Sequence, residues 1–140
     1  MTDPRESQPF LPARILIVDD VPANIQLIAN MLSKEAFQIS AALSGPQALG
    51  MVDRVLPDLV LLDVTMPIMD GYETCRELKA HPTTADVPVI FLTGRASEED
   101  VLKGFEAGGV DYVSKPFSHP ELMARVRTHL HLRWLMEVER

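Results

Sequence analysis

The run Leu59-Val60-Leu61-Leu62, apolar at every position, constrains this chain more than any other stretch. A strand with one wet face alternates apolar and polar residues. A strand apolar on both faces must be covered on both, as in a parallel sheet between two layers of helices. Four further runs are of strand length: Arg14–Val18, Phe37–Leu43, Val89–Leu92 and Val110–Val113. A stretch with helical spacing follows each run. Ile25, Ile28, Ala29 and Leu32 form the first apolar helix face, and Ala48, Val52 and Val55 the second. Tyr72, Cys75 and Leu78 form the third, and Val101, Leu102 and Phe105 the fourth. Gly108-Gly109 offers the fourth helix a stop, because glycine accepts the left-handed cap conformation. The last helix is expected from about Pro120 to the end. The pattern predicts (βα)5, a doubly wound α/β domain.

At 140 residues the chain is long enough to bury one core without staples. The expected division is a loose tail over residues 1–13, punctuated by Pro4, Pro9 and Pro12, then one domain over 14–130. Residues 131–140 extend the last helix as a linker or dimer contact. With 13 basic and 20 acidic side chains the net charge is −7, which argues against a surface built to grip nucleic-acid phosphates. Cys75 is the only cysteine, so no internal disulfide or multi-cysteine metal site can form. No apolar run approaches the roughly 18 residues of a membrane span, and residues 1–9 lack the apolar core of a signal peptide. These features point to the cytoplasm.

In doubly wound sheets the chemistry sits at the carboxyl ends of the strands. Asp19-Asp20 closes the first run, Asp63 the third, Thr93 the fourth and Lys115 the fifth. Three carboxylates brought together repel one another, and a hard divalent cation with oxygen ligands, Mg²⁺, relieves them. A metal beside a carboxylate, an ammonium from Lys115 and a hydroxyl from Thr93 make a site for accepting a phosphoryl group on Asp63. Taken singly, each residue has a plainer role: Asp19 or Asp20 as a helix cap, Lys115 as a solvated loop residue, Thr93 as a strand end. Four strand ends supplying one interdependent chemistry outweigh that.

The sequence at these residues resembles the receiver domains of bacterial two-component response regulators. The resemblance spans roughly Arg14 to Leu130. It rests on Ile15-Leu-Ile-Val-Asp-Asp20, Leu61-Leu-Asp-Val-Thr-Met-Pro67 with Met69-Asp-Gly71, Phe91-Leu-Thr93, and Gly108-Gly-Val-Asp-Tyr-Val-Ser-Lys-Pro-Phe117. It implies the flavodoxin-like strand order 2-1-3-4-5. It implies that a histidine kinase or phosphotransfer protein phosphorylates Asp63, and that Mg²⁺ is held by Asp19, Asp20, Asp63 and the Thr65 carbonyl. It further implies that Thr93 and Tyr112 form a switch pair and that Lys115-Pro116 is joined by a cis bond. Thr65 and Arg95 take two positions thought to tune phosphate loss, Arg95 by shielding the acyl phosphate or by pairing with an acidic neighbour. Gly94 stands where the family commonly has alanine.

Other residues invite less. His129 and His131 are two apart on a helix and face different sides, and His81 and His119 read as structural. Cys75 reads as core, Met66 and Met69 as filling, and Glu98-Glu99-Asp100 as charge suited to a helix start. A Mg²⁺-dependent phosphatase with an aspartyl-phosphate intermediate is the main rival, but it wants an acid two residues after the nucleophile, where Thr65 stands. A flavodoxin-like cofactor binder would want a phosphate-cradling loop where Asp19-Asp20 stands. An interaction module that never takes phosphate leaves the complete site without a role. The last helix repeats Leu122, Val126, Leu130, Trp134 and Val138, with Leu132, Leu135 and Met136 beside them. Its final turns are expected to project, exposing Trp134, Leu135 and Val138 for a second copy or an output domain.

Overall fold

A computed structural model describes residues 12–94 and 97–139, with side chains as far as Glu137. Five strands form one parallel sheet: β1 (Arg14–Val18), β2 (Gln38–Ala42), β3 (Leu59–Asp63), β4 (Val89–Thr93) and β5 (Asp111–Ser114). Their order is β2-β1-β3-β4-β5. The helices between and after them are α1 (Pro22–Leu32), α2 (Gly45–Val55), α3 (Gly71–Ala80), α4 (Glu98–Glu106) and α5 (His119–Glu139).

The double-sided apolar runs are explained by two cores. Leu16, Val18, Val60, Leu62, Val89 and Phe91 point to the face covered by α2 and α3, with Ala48, Val52, Cys75 and Leu78. Ile15, Ile17, Leu59, Leu61, Ile90 and Leu92 point to the other, against Ile28 and Leu32 of α1 and Leu122 and Val126 of α5. Successive strand side chains alternate between faces, so one run feeds both cores. Every residue of β3 and β4 is buried.

Helix starts follow local chemistry. Ser44, Asp70 and Ser97 are N-caps whose side chains accept from the backbone N–H of Gln47, Glu73 and Asp100. The acidic run Glu98-Glu99-Asp100 fills the first turn of α4 as expected. Val21 is the N-cap of α1 and makes no side-chain cap hydrogen bond, with Pro22 at the first helical position.

Several details depart from the sequence reading. Phe37 and Leu43 fall outside β2, and β5 starts at Asp111, while β3 and β4 extend to take in Asp63 and Thr93. On α4 the expected apolar face does not enter the core: Leu102 is 58% exposed and Phe105 50%. Small residues make that contact instead, Gly104 and Ala107, because the helix lies close over the Phe91 ring. The end of α5 is tied down at Arg133, which bonds the Asp86 carbonyl at 3.0 Å and stands 3.7 Å from the Asp58 carboxylate just before β3. Trp134 is consequently half-buried and not exposed, and its ring lies against that of His131, tilted by 46° with centroids 5.4 Å apart. Leu135 is exposed as expected, and the Val138 side chain lies outside the described residues.

Candidate phosphoacceptor site

β1 and β3 are neighbours, and the chain leaves them in opposite directions across the sheet, so a crevice opens where their carboxyl ends meet. Asp19 follows β1 directly and Asp63 ends β3. Asp19, Asp20 and Asp63 each place a carboxylate oxygen within 4.8 Å of the others. Asp19 is fully buried, Asp63 is 7% exposed, and Asp20 is half-buried at the mouth.

The loop after β3 is held close by its own backbone. The Gly71 N–H donates to the Val64 carbonyl at 2.8 Å. A Cβ on Gly71 would lie 2.4 Å from the Asp63 carbonyl oxygen and 2.8 Å from the Val64 Cα, so only glycine lets α3 start this near the acceptor. On the other side, Lys115 donates its backbone N–H to the Thr93 carbonyl at 2.6 Å, and the Lys115–Pro116 bond is cis. The Lys115 ammonium then lies 3.4 Å from Asp63 Oδ1 and 3.5 Å from Asp19 Oδ2.

One ammonium does not balance these carboxylates. Burial and the neighbouring Asp19 charge push the Asp63 carboxyl up to about 6, with Lys115 pulling the other way and Asp20 adding to the rise. Asp19 Oδ1 accepts from the Val21 N–H at 2.9 Å and from the Asn24 amide at 3.4 Å. Its Oδ2 is buried and has no hydrogen-bond partner among the described residues. A buried carboxylate oxygen that makes no hydrogen bond and has only the Lys115 ammonium 3.5 Å away among the described residues, beside two more carboxylates, fits a hard divalent cation. The donor set is therefore of the right chemistry for Mg²⁺.

The remaining residues named from sequence fall as follows. Thr93 is buried at the end of β4, next to the strand carrying Asp63. Tyr112 lies in β5 opposite Phe91 and is half-buried. Thr65 stands two residues past Asp63 with its side chain exposed, and Gly94 is exposed after Thr93. Arg95 lies outside the described residues. The histidines are structural where described: His129 bonds Asp111, His119 bonds the Met31 carbonyl, and His81 stands 3.4 Å from Asp53. Cys75 is buried. Sequence reasoning missed the hydroxyl of Tyr72, whose ring belongs to the apolar face of α3 and whose polar partners are distant in sequence.

The family model for the response regulator receiver domain matches residues 15–127. The chain is 47% identical over 116 residues to response regulator PleD of Caulobacter vibrioides, covering 83% of this chain and 26% of that protein. It is 51% identical over 116 residues to a probable cyclic di-GMP phosphodiesterase of Vibrio cholerae, with the same coverage of 83% and 26%. The chain thus spans about a quarter of the length of these relatives. Among solved structures, a putative response regulator from Chloroflexus aurantiacus superposes with a TM-score of 0.82 at 36% identity, covering 86% of this chain and 98% of that one. The receiver domain of sensor histidine kinase PA1611 from Pseudomonas aeruginosa, with a magnesium ion coordinated in its active-site cleft, gives 0.79 at 32% identity, covering 86% and 98%.

Proposed function

The chain belongs to the response regulator receiver domains of two-component signalling, and from that premise we propose that Asp63 is its phosphoacceptor, with Asp19, Asp20, Asp63 and the Thr65 carbonyl holding Mg²⁺. The observation that carries this is the meeting of three carboxylates within 4.8 Å at the switch point of the sheet, two of them within 3.5 Å of the Lys115 ammonium. In this reading a histidine kinase or phosphotransfer protein presents a phosphohistidine in the crevice. An Asp63 carboxylate oxygen attacks phosphorus, the P–N bond breaks, and the imidazole leaves with its electron pair. Lys115 meets one phosphoryl oxygen and the Thr93 hydroxyl another, so charge is matched where it develops. Asp19, Asp20, Asp63 and the Thr65 carbonyl would hold Mg²⁺, which would supply neutralisation of the charge that develops there. Thr93 and Tyr112 pass the change to the surface of α4, β5 and α5, and Thr65 and Arg95 set the phosphate lifetime.

The chain catalyses only its own phosphorylation and dephosphorylation. The phosphatase reading is not favoured, because Thr65 occupies the place of the acid. Among the described residues no helix is long and apolar enough to cross a membrane. A cytoplasmic setting belongs to the proposal, as do an output domain elsewhere in the protein and pairing of two copies through α5.

The test is incubation with acetyl phosphate and Mg²⁺, read by intact mass. One phosphoryl group should be added, Asp63→Asn should abolish it, and Asp20→Ala should weaken Mg²⁺ binding. Labelling that persists in Asp63→Asn would overturn the assignment.

A further inference from the structure

We propose that Tyr72 is a positioning residue that holds Tyr112 through a hydroxyl relay ending on the first turn of α4; this deepens the reading above and rests on Tyr112 being the switch ring. The Tyr72 Oη lies 2.9 Å from the Tyr112 Oη and 3.1 Å from the backbone carbonyl oxygen of Asp100. A phenol has one proton, and a carbonyl can only accept. Tyr72 therefore donates to Asp100, and Tyr112 must donate to Tyr72. The direction of the relay follows from that alone: β5 to α3 to α4.

The rings make the relay stiff. Phe91 sits between the two tyrosines, with centroids 5.3 Å from Tyr72 and 5.8 Å from Tyr112, both tilted. Gly104 of α4 closes the cluster from above, where a Cβ would stand 3.0 Å from Phe91 Cδ2 and 3.2 Å from Tyr112 Cδ2. The Lys103 ammonium lies 5.9 Å from the Tyr72 ring centroid. Tyr72 itself is 7% exposed, and both hydrogen bonds of its hydroxyl are partly shielded from solvent.

The two bonds give Tyr112 and α4 a shared anchor. When the Tyr112 ring turns, its bond to Tyr72 breaks and the part-buried Tyr72 oxygen loses a donor. The position of the ring is thus tied to the backbone at Asp100, seven residues after Thr93. Without the Tyr72 hydroxyl, the ring can turn with no such loss and α4 loses a contact from α3. Tyr72 therefore weights the two arrangements of the switch without touching the phosphoryl group.

Tyr72→Phe removes the hydroxyl and keeps the ring that packs on Phe91. The chain has two tyrosines, so ring signals in carbon-labelled protein are assigned by this one substitution. The experiment compares the full chain, Tyr72→Phe, Tyr112→Phe and the double variant, each with and without Mg²⁺ and beryllofluoride as the phosphoryl stand-in. Without the stand-in, Tyr72→Phe should release the Tyr112 ring into rotamer averaging and shift the amide signals of Asp100 and Val101. With it, each single change should alter beryllofluoride affinity in the same direction by roughly two- to ten-fold, the range of one hydrogen bond. The double variant should go no further than either single one. A Tyr112 ring that keeps its rotamer in Tyr72→Phe, or effects that simply add, would overturn the relay. A wild-type chain that ignores beryllofluoride, or an Asp63→Asn variant that still responds, would instead overturn the phosphoacceptor reading and leave the ring measurements standing.

Discussion

At the scale of single residues, Asp63 is held against its own charge. Its carboxyl titrates at about 6 in the fold against 3.8 ordinarily. The folded chain therefore keeps a proton that the unfolded chain releases, and raising the pH from about 4 to 6 favours unfolding. Above pH 6 the penalty is constant and amounts to at most about 3 kcal/mol. Asp63→Asn removes the charge. In chelator it should raise stability at pH 7.5 by up to about 3 kcal/mol, and the gain should vanish near pH 4. Added Mg²⁺ should narrow the gap by stabilising the wild type. Urea denaturation at the two pH values checks this, and an equal gain at both would show that no charge conflict exists. The carboxylates were legible in sequence because each is a polar residue abruptly ending an apolar run. Tyr72 was not, since its hydroxyl meets Tyr112 across 40 positions and only the fold brings them together.

At the scale of elements, β1, β3 and β4 were legible because burial on both faces leaves almost no room for a polar position, whereas the edge strands β2 and β5 keep exposed polar residues and their bounds shifted. Helix faces were legible where large side chains make the contact, as in α1 and α3. They failed on α4, where backbone proximity over Phe91 selects Gly104 and Ala107, and hydrophobicity alone points to the wrong side. The joint between β5 and α5 was also invisible, because it is ionic. Asp111 accepts from the Tyr112 N–H at 2.8 Å, from Arg125 at 3.2 Å and from His129 at 2.9 Å. Burial alone would raise its carboxyl. The His129 and Tyr112 hydrogen bonds, with the Arg125 charge, outweigh that and hold it below the ordinary range. The contribution is thus full above the ordinary carboxylate value and is lost as pH falls through the lower folded one. Asp111→Ala should cost about 1–3 kcal/mol near neutral pH, with the difference shrinking in acid below about pH 4. Chemical denaturation across that range is the measurement, and a difference that grows in acid would contradict the sign.

At the scale of the whole molecule, α5 decides how the domain meets anything beyond itself. A helix from His119 to Glu139 is roughly 30 Å long, against strands of at most 5 residues, so its end must run past the sheet. The sequence showed that length but not what becomes of the end. Arg133 bonds the loop before β4 and approaches the residue before β3, which turns Trp134 partly inward. Among the described residues, Leu132 at 48%, Leu135 at 40% and Met136 at 55% exposed stay outside as a patch. Such a patch at the tip of a tethered helix suits a second copy meeting it by twofold symmetry. Because Arg133 sits on the same turn as these residues, the helix end is already ordered, and pairing would cost little further entropy. Sedimentation equilibrium should show the average mass of the full chain rising with concentration, more steeply with beryllofluoride and Mg²⁺. Leu135→Glu should stay monomeric under both conditions while keeping its fold and its beryllofluoride binding. A wild-type chain that is monomeric at high concentration in both states would remove self-pairing and leave α5 as a connector to another domain.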